Sequence, residues 1–174
     1  MFLNNRHGDG HGLTRPAGAT TFYPPRRTYL GRMHIRDAVE ADADAMAQIA
    51  DAPVDVMRNL IHDRTVRVAE PDHPTPTDPH QDTDNGAAEL LGFVSFDAQA
   101  DVVHITQLDG TDDACEELLS EPIRFAKQEA MDVELLVPLP EESLAGVAER
   151  VGFDRRGRGP QFNGTPTIRY RLET

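Results

Sequence analysis

DVVHITQLDGTDDACEELLSEPIRFAKQEAMDVELLV, from Asp101 to Val137, is the stretch on which the fold turns. Polarity alternates from Asp101 to Asp109, as in a half-buried strand. From Thr111 to Ala130 apolar residues recur at helical spacing (Cys115, Leu118, Leu119, Ile123, Ala126, Ala130), and Val133 to Val137 is an apolar strand suited to a sheet interior. The three periods predict one strand-helix-strand unit. Thr111 is placed to cap the helix, with Asp112, Asp113 and Glu116 in a first turn that suits the positive end of the helix dipole. Pro122 removes a backbone donor inside the helix and is expected to kink it or split it at Ser120. The corner before the helix, Asp109-Gly110-Thr111-Asp112-Asp113, is of the kind that binds phosphates when built for it, and here it is rich in carboxylates.

Working outward, Leu90 to Asp97 reads as the strand before this unit, joined to it by a tight connection at Ala98 to Asp101. Met33 to Ala38 alternates as a strand. A helix follows with Asp42 or Asp44 as its cap and Ala45, Met46, Ile49 and Ala50 on one side. Pro53 interrupts, Val54 to His62 resumes helical spacing, and Thr65 to Ala69 is a β-branched strand. Downstream, Leu144, Val147, Ala148 and Val151 mark a helix ending at Gly152. Phe153 opens a strand running into an exposed turn at Arg155, Arg156, Gly157, Arg158 and Gly159, and Thr165 to Leu172 closes the chain with Ile168, Tyr170 and Leu172 on one face. The order β-α-α-β-β-β-α-β-α-β-β predicts an α/β (α+β) fold with a mixed central sheet of about six or seven strands flanked by helices.

The chain has 174 residues, enough for one domain with a proper core. Acidic residues number 30 against 17 basic, and Lys127 is the only lysine. Such an acid-rich, lysine-poor surface is similar to that of proteins from salt-loving organisms and points to a halophilic archaeon, where molar salt screens repulsion within about 3 Å. The net charge of −13 argues against broad nucleic-acid binding. Residues 1–32 hold five arginines and one aspartate among scattered glycines and prolines, and read as a flexible basic tail ahead of a domain at 33–174. Met33 is a candidate native start. Residues 70–89 carry four prolines and almost nothing apolar, as in an exposed loop. His7 and His11 in the tail, and His73 and His80 in the loop, lack the spacing of a metal set, so no metal is expected. A single cysteine, Cys115, excludes an internal disulfide, and no apolar run reaches the ~20 residues of a membrane span. The expectation is a cytoplasmic protein.

Three phrases carry a resemblance within this order of elements. They are His34-Ile35-Arg36-Asp37-Ala38 running into Asp42-Ala43-Asp44-Ala45-Met46, Leu91-Gly92-Phe93-Val94, and Val147-Ala148-Glu149-Arg150-Val151-Gly152-Phe153. Residues 33–174 thereby resemble the GCN5-related N-acetyltransferase (GNAT) superfamily. The resemblance implies an enzyme that binds acetyl-CoA in an opening between the fourth and fifth strands and passes the acetyl group to an amine, whose identity it leaves open. Backbone groups of Ile105, Thr106 and Gln107 would hold the acyl carbonyl and pantetheine arm, and Gly110 and Thr111 would lie at the phosphates. The family's Gln or Arg, Gly, Gly pattern falls on Gly110, Asp113 and Cys115, and its Asn and Tyr in the last helix fall on Glu141 and Ala148. These departures imply a divergent coenzyme site.

Asp101 stands where some family members carry a general-base carboxylate, and His104 is a second polar group on the same strand. Cys115 has no evident activating partner and reads as a buried helix residue. An N-acetyltransferase is one reading. A second is a non-catalytic module of the same fold acting through protein contacts, as a homodimer using its terminal strands. A third takes Arg155, Arg156 and Arg158, with the basic tail, as an anion or RNA contact.

Overall fold

The computed structural model describes residues 31–72 and 89–174. His7, His11, His73, His80, nearly all of the basic tail and most of the proline-rich loop lie outside the described residues. Seven strands form one sheet: β1 (Met33–Asp37), β2 (Thr65–Pro71), β3 (Gly92–Gln99), β4 (Val102–Gly110), β5 (Asp132–Pro138), β6 (Asp154–Arg158) and β7 (Thr167–Leu172). Their spatial order is β1-β2-β3-β4-β5-β7-β6. Every neighbouring pair is antiparallel except β4 and β5, which are parallel and therefore need a crossover. Helices α3 (Asp112–Leu118) and α4 (Ser120–Glu129) supply it. They are the two pieces into which Pro122 was expected to divide one helix, with Leu119 at the break.

The two faces of the sheet are covered unequally. On one, α3, α4 and α5 (Glu142–Val151) pack over Val94, Phe96, Val103, Ile105, Val133, Leu135 and Tyr170. On the other, α1 (Ala43–Ala50) and α2 (Val54–Asp63) cover Val66, Val68 and Phe93, with Met46 and Met57 fully buried between. Alternation along each strand sends successive residues to opposite sides, so Val94 joins one core and its neighbour Phe93 the other. Among the described residues no such layer serves the second face of β5 and β7. There Asp132, Glu134, Arg169 and Arg171 stand beside Leu136, so that face is mainly charged, although β5 lies inside the sheet.

A closed ion cluster ties the first elements together. Arg36 on β1 grips Asp42 with two bonds of 2.7 and 2.9 Å and reaches Glu70 on β2 at 3.0 Å. Asp42 stands at the N-cap position of α1, one of the two the sequence suggested, but its side chain makes no cap bond to that helix. It lies in a 3-10 turn, Glu40–Asp42, and accepts from the Val39 N–H at 2.8 Å. Burial pushes the Asp42 carboxyl up, but the bonds from Arg36 and Val39 outweigh it and hold the group below the usual carboxylate range.

The arginine-rich segment after Phe153 is a strand rather than a turn. Its backbone pairs with β7, so the exposed side chains of β6 do not prevent sheet formation. A bulge between Arg155 and Gly157, with Gly157 at φ 106°, bends this outer edge, and Arg156 pairs with Glu173 at 2.7 Å.

Candidate active site

The site arises where a parallel pair of strands comes apart. β4 and β5 are in register from Val102 opposite Asp132 to Ile105 opposite Leu135, and there the pairing stops. On its other side β4 stays paired with β3 to the end, but with one residue too many. Ser95 pairs with Gln107 and Phe96 with Ile105, leaving Thr106 as the bulge. A bulge bends the strand that carries it and increases its twist. Here it swings the last turn of β4 away from β5. Two contacts pin the bulge: Thr106 Oγ1 shares a 2.6 Å hydrogen bond with Ser95 Oγ and donates to the Ser95 carbonyl at 3.2 Å. Ser95, fully buried in the middle of the sheet, is thus a polar anchor whose purpose alternation alone does not reveal.

The resulting cleft has a volume of about 450 Å³. β4 lines it from His104 to Asp109, β5 with Glu134, Leu135, Leu136 and Pro138, α5 with Leu144 and the preceding Glu141, and the β6–β7 connection with Phe162. Phe162 is 54% exposed, a position no apolar residue takes for the sake of the core. Its placement follows from a tight turn in which Phe162 and Thr165 bridge and Asn163 and Gly164 both take positive φ (49° and 80°), while Leu139 N–H donates to the Pro166 carbonyl at 3.0 Å. Sequence reading missed this aromatic rim. The Asn163-Gly164 pair was the available signal.

Of the residues singled out from sequence, the structure brings His104, Ile105, Thr106 and Gln107 to the cleft. Past Ile105, β4 has no partner strand on the β5 side among the described residues, so the backbone there is an edge that an extended chain can pair with. Asp101 is elsewhere. It occupies the exposed two-residue turn between β3 and β4, four residues and roughly 13 Å along the strand from Ile105. Gly110 is used for packing. With φ 144°, its place for a Cβ lies 2.5 Å from both Gly92 Cα and the Leu91 carbonyl, which explains why Leu91-Gly92 and Gly110 must sit together. Thr111 caps α3 by accepting from Ala114 N–H at 3.2 Å. Asp112 accepts from Ser143 Oγ, which links the first turns of α3 and α5. Cys115 and Ala148 are buried in the core.

His104 faces Glu134, its register partner on β5, with Nδ1 3.7 Å from Oε1. Glu134 also meets Arg169 at 3.4 Å and Arg171 at 3.9 Å. Among the described residues lining the cleft there is no lysine or arginine, whereas Asp109, Glu134 and Glu141 are acids. Asp109 is engaged by Gln107 Nε2 at 2.9 Å. Tyr170, the tyrosine of the described region, is directed at Glu149 of α5 with a 3.3 Å bond and does not line the cleft. Burial, reinforced by Glu149, pushes its phenol up. The described residues contain no group of three His, Cys, Asp or Glu side chains placed to hold a metal ion, and no helix among them is long and apolar enough to cross a membrane.

No protein-family model matches this sequence, and no curated protein matches it. Solved structures do. Arabidopsis thaliana NAA60, in a complex with acetyl-CoA, superposes with a TM-score of 0.62 at 17% identity, covering 81% of this chain and 98% of that one. The ribosomal-protein-alanine N-acetyltransferase of Brucella melitensis gives 0.60 at 14% identity, covering 81% and 99%. A structure from Desulfovibrio desulfuricans assigned to the GNAT family gives 0.58 at 15% identity, covering 82% and 99%. The mixed sheet, the parted fourth and fifth strands and these superpositions agree: the chain has the fold of the GNAT acetyltransferases.

Proposed function

We propose that this chain is an N-acetyltransferase that takes its acyl group from acetyl-CoA and gives it to an amine. The observation that carries the reading is the parting of β4 from β5 beyond Ile105, with the bulge at Thr106 anchored to Ser95. The backbone of β4 at Thr106 and Gln107, with Leu135, Leu136 and Leu144 lining the opening, would hold the thioester arm of the coenzyme there. The coenzyme supplies an acyl carbon activated as a thioester. This chain's residues would align the arm, exclude water with the Phe162 and Leu144 rim, and accept a proton from the amine at His104. His104 is the base that the cleft favours, because it lines the opening and Asp101 does not.

The fit is good for the acyl and pantetheine portion and poor for the diphosphate. The corner beyond β4 presents Asp112 and Asp113, and Thr111 already occupies one of the amides at the mouth of α3. Like charges 4 Å apart in water repel by about 1 kcal/mol. The coenzyme site is on this reading divergent, and molar salt would lower that cost by screening. Those carboxylates favour a second reading, a non-catalytic module that keeps the fold and works through protein contacts. Isothermal calorimetry with acetyl-CoA in molar KCl separates the two. Micromolar binding is the result expected of the enzyme, and silence at millimolar coenzyme leaves the module.

A further inference from the structure

Glu134 lies where the cleft meets the charged part of the second face, at β5 and β7, which no described helix covers. Its side chain is only 12% exposed and its two oxygens face different ways. Oε2 is 3.4 Å from Arg169 Nε and 3.9 Å from Arg171, while Oε1 is 3.7 Å from His104 Nδ1. We propose that Glu134 is a positioning residue: it holds His104 with the proton on Nδ1, so that Nε2 offers its lone pair to the cleft. The proposal rests on the transferase reading and adds to it the group that decides which nitrogen is the base.

The argument is one of tautomers and competing partners. A neutral imidazole has one donor and one acceptor nitrogen, and a neighbouring acceptor settles which is which. A carboxylate beside Nδ1 favours the proton there. The 3.7 Å separation exceeds a hydrogen bond, as catalytic pairs do before substrate tightens them. Arg169 and Arg171 lie on the Oε2 side of Glu134, which leaves Oε1 for His104. Of the nearby carboxylates, Asp132 is bound by Arg171 at 2.9 Å, while Asp97, opposite His104 on β3, is bound by Arg64 and Gln99 Nε2 through Oδ2 alone and keeps a buried, unpartnered Oδ1, so it is the competing acceptor that the test must remove.

In the step this serves, an ammonium acceptor gives one proton to His104 Nε2. Its nitrogen then forms a bond to the acyl carbon as the carbon–sulfur bond breaks. The electron pair leaves with sulfur, which takes up the second nitrogen-bound proton directly or through water, and His104 returns its proton to solvent.

Long-range proton–nitrogen correlation spectra of isotope-labelled full-length protein, assigned with His104→Gln, read the tautomer without coenzyme. The expected result is a dominant Nδ1–H form in the native chain. That form should give way to Nε2–H, the form favoured by free imidazole, in Glu134→Gln, and should persist in Asp97→Asn. A native chain that already carries Nε2–H overturns the proposal, and so does a change produced by Asp97→Asn and not by Glu134→Gln. If Glu134→Gln does not fold, the native and Asp97→Asn spectra decide. Acetyl-CoA calorimetry on the same samples keeps the two readings apart. Binding by a chain in the Nε2–H form removes the role of Glu134 alone, whereas absence of binding with Nδ1–H in place removes the transferase reading and the base with it.

Discussion

Two clusters of charge sit on this sheet, and they are built to opposite standards. Around Arg36 the geometry is closed: two bonds to Asp42, one to Glu70, a backbone donor on the same carboxylate, and Asp42 only 5% exposed. Around Glu134 the contacts run from 3.4 to 3.9 Å, and Arg169 is nearly half exposed. The first cluster satisfies its charges and joins β1, β2 and the turn before α1. The second leaves His104 loosely held beside a cleft. Charges that hold a fold are paired tightly, and on the proposed reading the looser cluster keeps the freedom that handling a proton would need.

The largest expected effect breaks the first cluster. Asp42→Ala leaves Arg36 facing only Glu70, and urea unfolding is expected to show a loss of about 2–3 kcal/mol, below the range for fully buried pairs because Arg36 is a quarter exposed. The same pair predicts an acid limb. Because the folded state lowers the Asp42 pKa, its contribution is fully present above the ordinary carboxylate range and is lost as pH falls through the folded value. Native protein should lose stability there more steeply than Asp42→Asn. A smaller effect tests the second cluster. Glu134→Gln should cost about 1 kcal/mol or less in the same assay, since its arginine partners reach solvent. A loss as large as that of Asp42→Ala would make the two clusters equivalent and remove the contrast. The smallest effect is one of salt. Raising KCl from 0.1 to 2 M shortens the screening length from about 10 Å to under about 3 Å and should tighten acetyl-CoA binding, tenfold for each 1.4 kcal/mol of repulsion relieved. Asp112→Asn should flatten that dependence. Binding that weakens with salt would mean that cations, not the acids of the α3 corner, govern the coenzyme.

Much of the architecture was readable because periods are local. The change from alternation to helical spacing after Asp109 set out β4 and the crossover, Pro122 divided the helix near Ser120, and Gly152 ended α5 in a left-handed conformation at φ 109°. The order of elements and their likeness to acetyltransferases agree with the superposed structures. Arg155 to Arg158 misled because an edge strand needs only backbone partners and carries any side chains it likes. Glu134 escaped notice within an apolar run, although Asp132-Val133-Glu134-Leu135 alternates and so marked a strand with one uncovered face. Asp101 was judged by its place in the chain. Its distance from the cleft depends on where β4 and β5 part.

Sequence by itself determined what depends on neighbours a few residues apart: the order of the strands and helices, apart from the outer edge strand β6, the break in the crossover helix, and the acids at the corner after β4. Only the tertiary structure decided what depends on the register between distant strands. The extra residue at Thr106, the loss of pairing after Ile105 and the meeting of His104 with Glu134 come from hydrogen-bond ladders between separate strands, within the β3–β4 hairpin and across the crossover from β4 to β5. A shift of one residue in such a ladder exchanges every inward side chain for an outward one, and no local pattern records it.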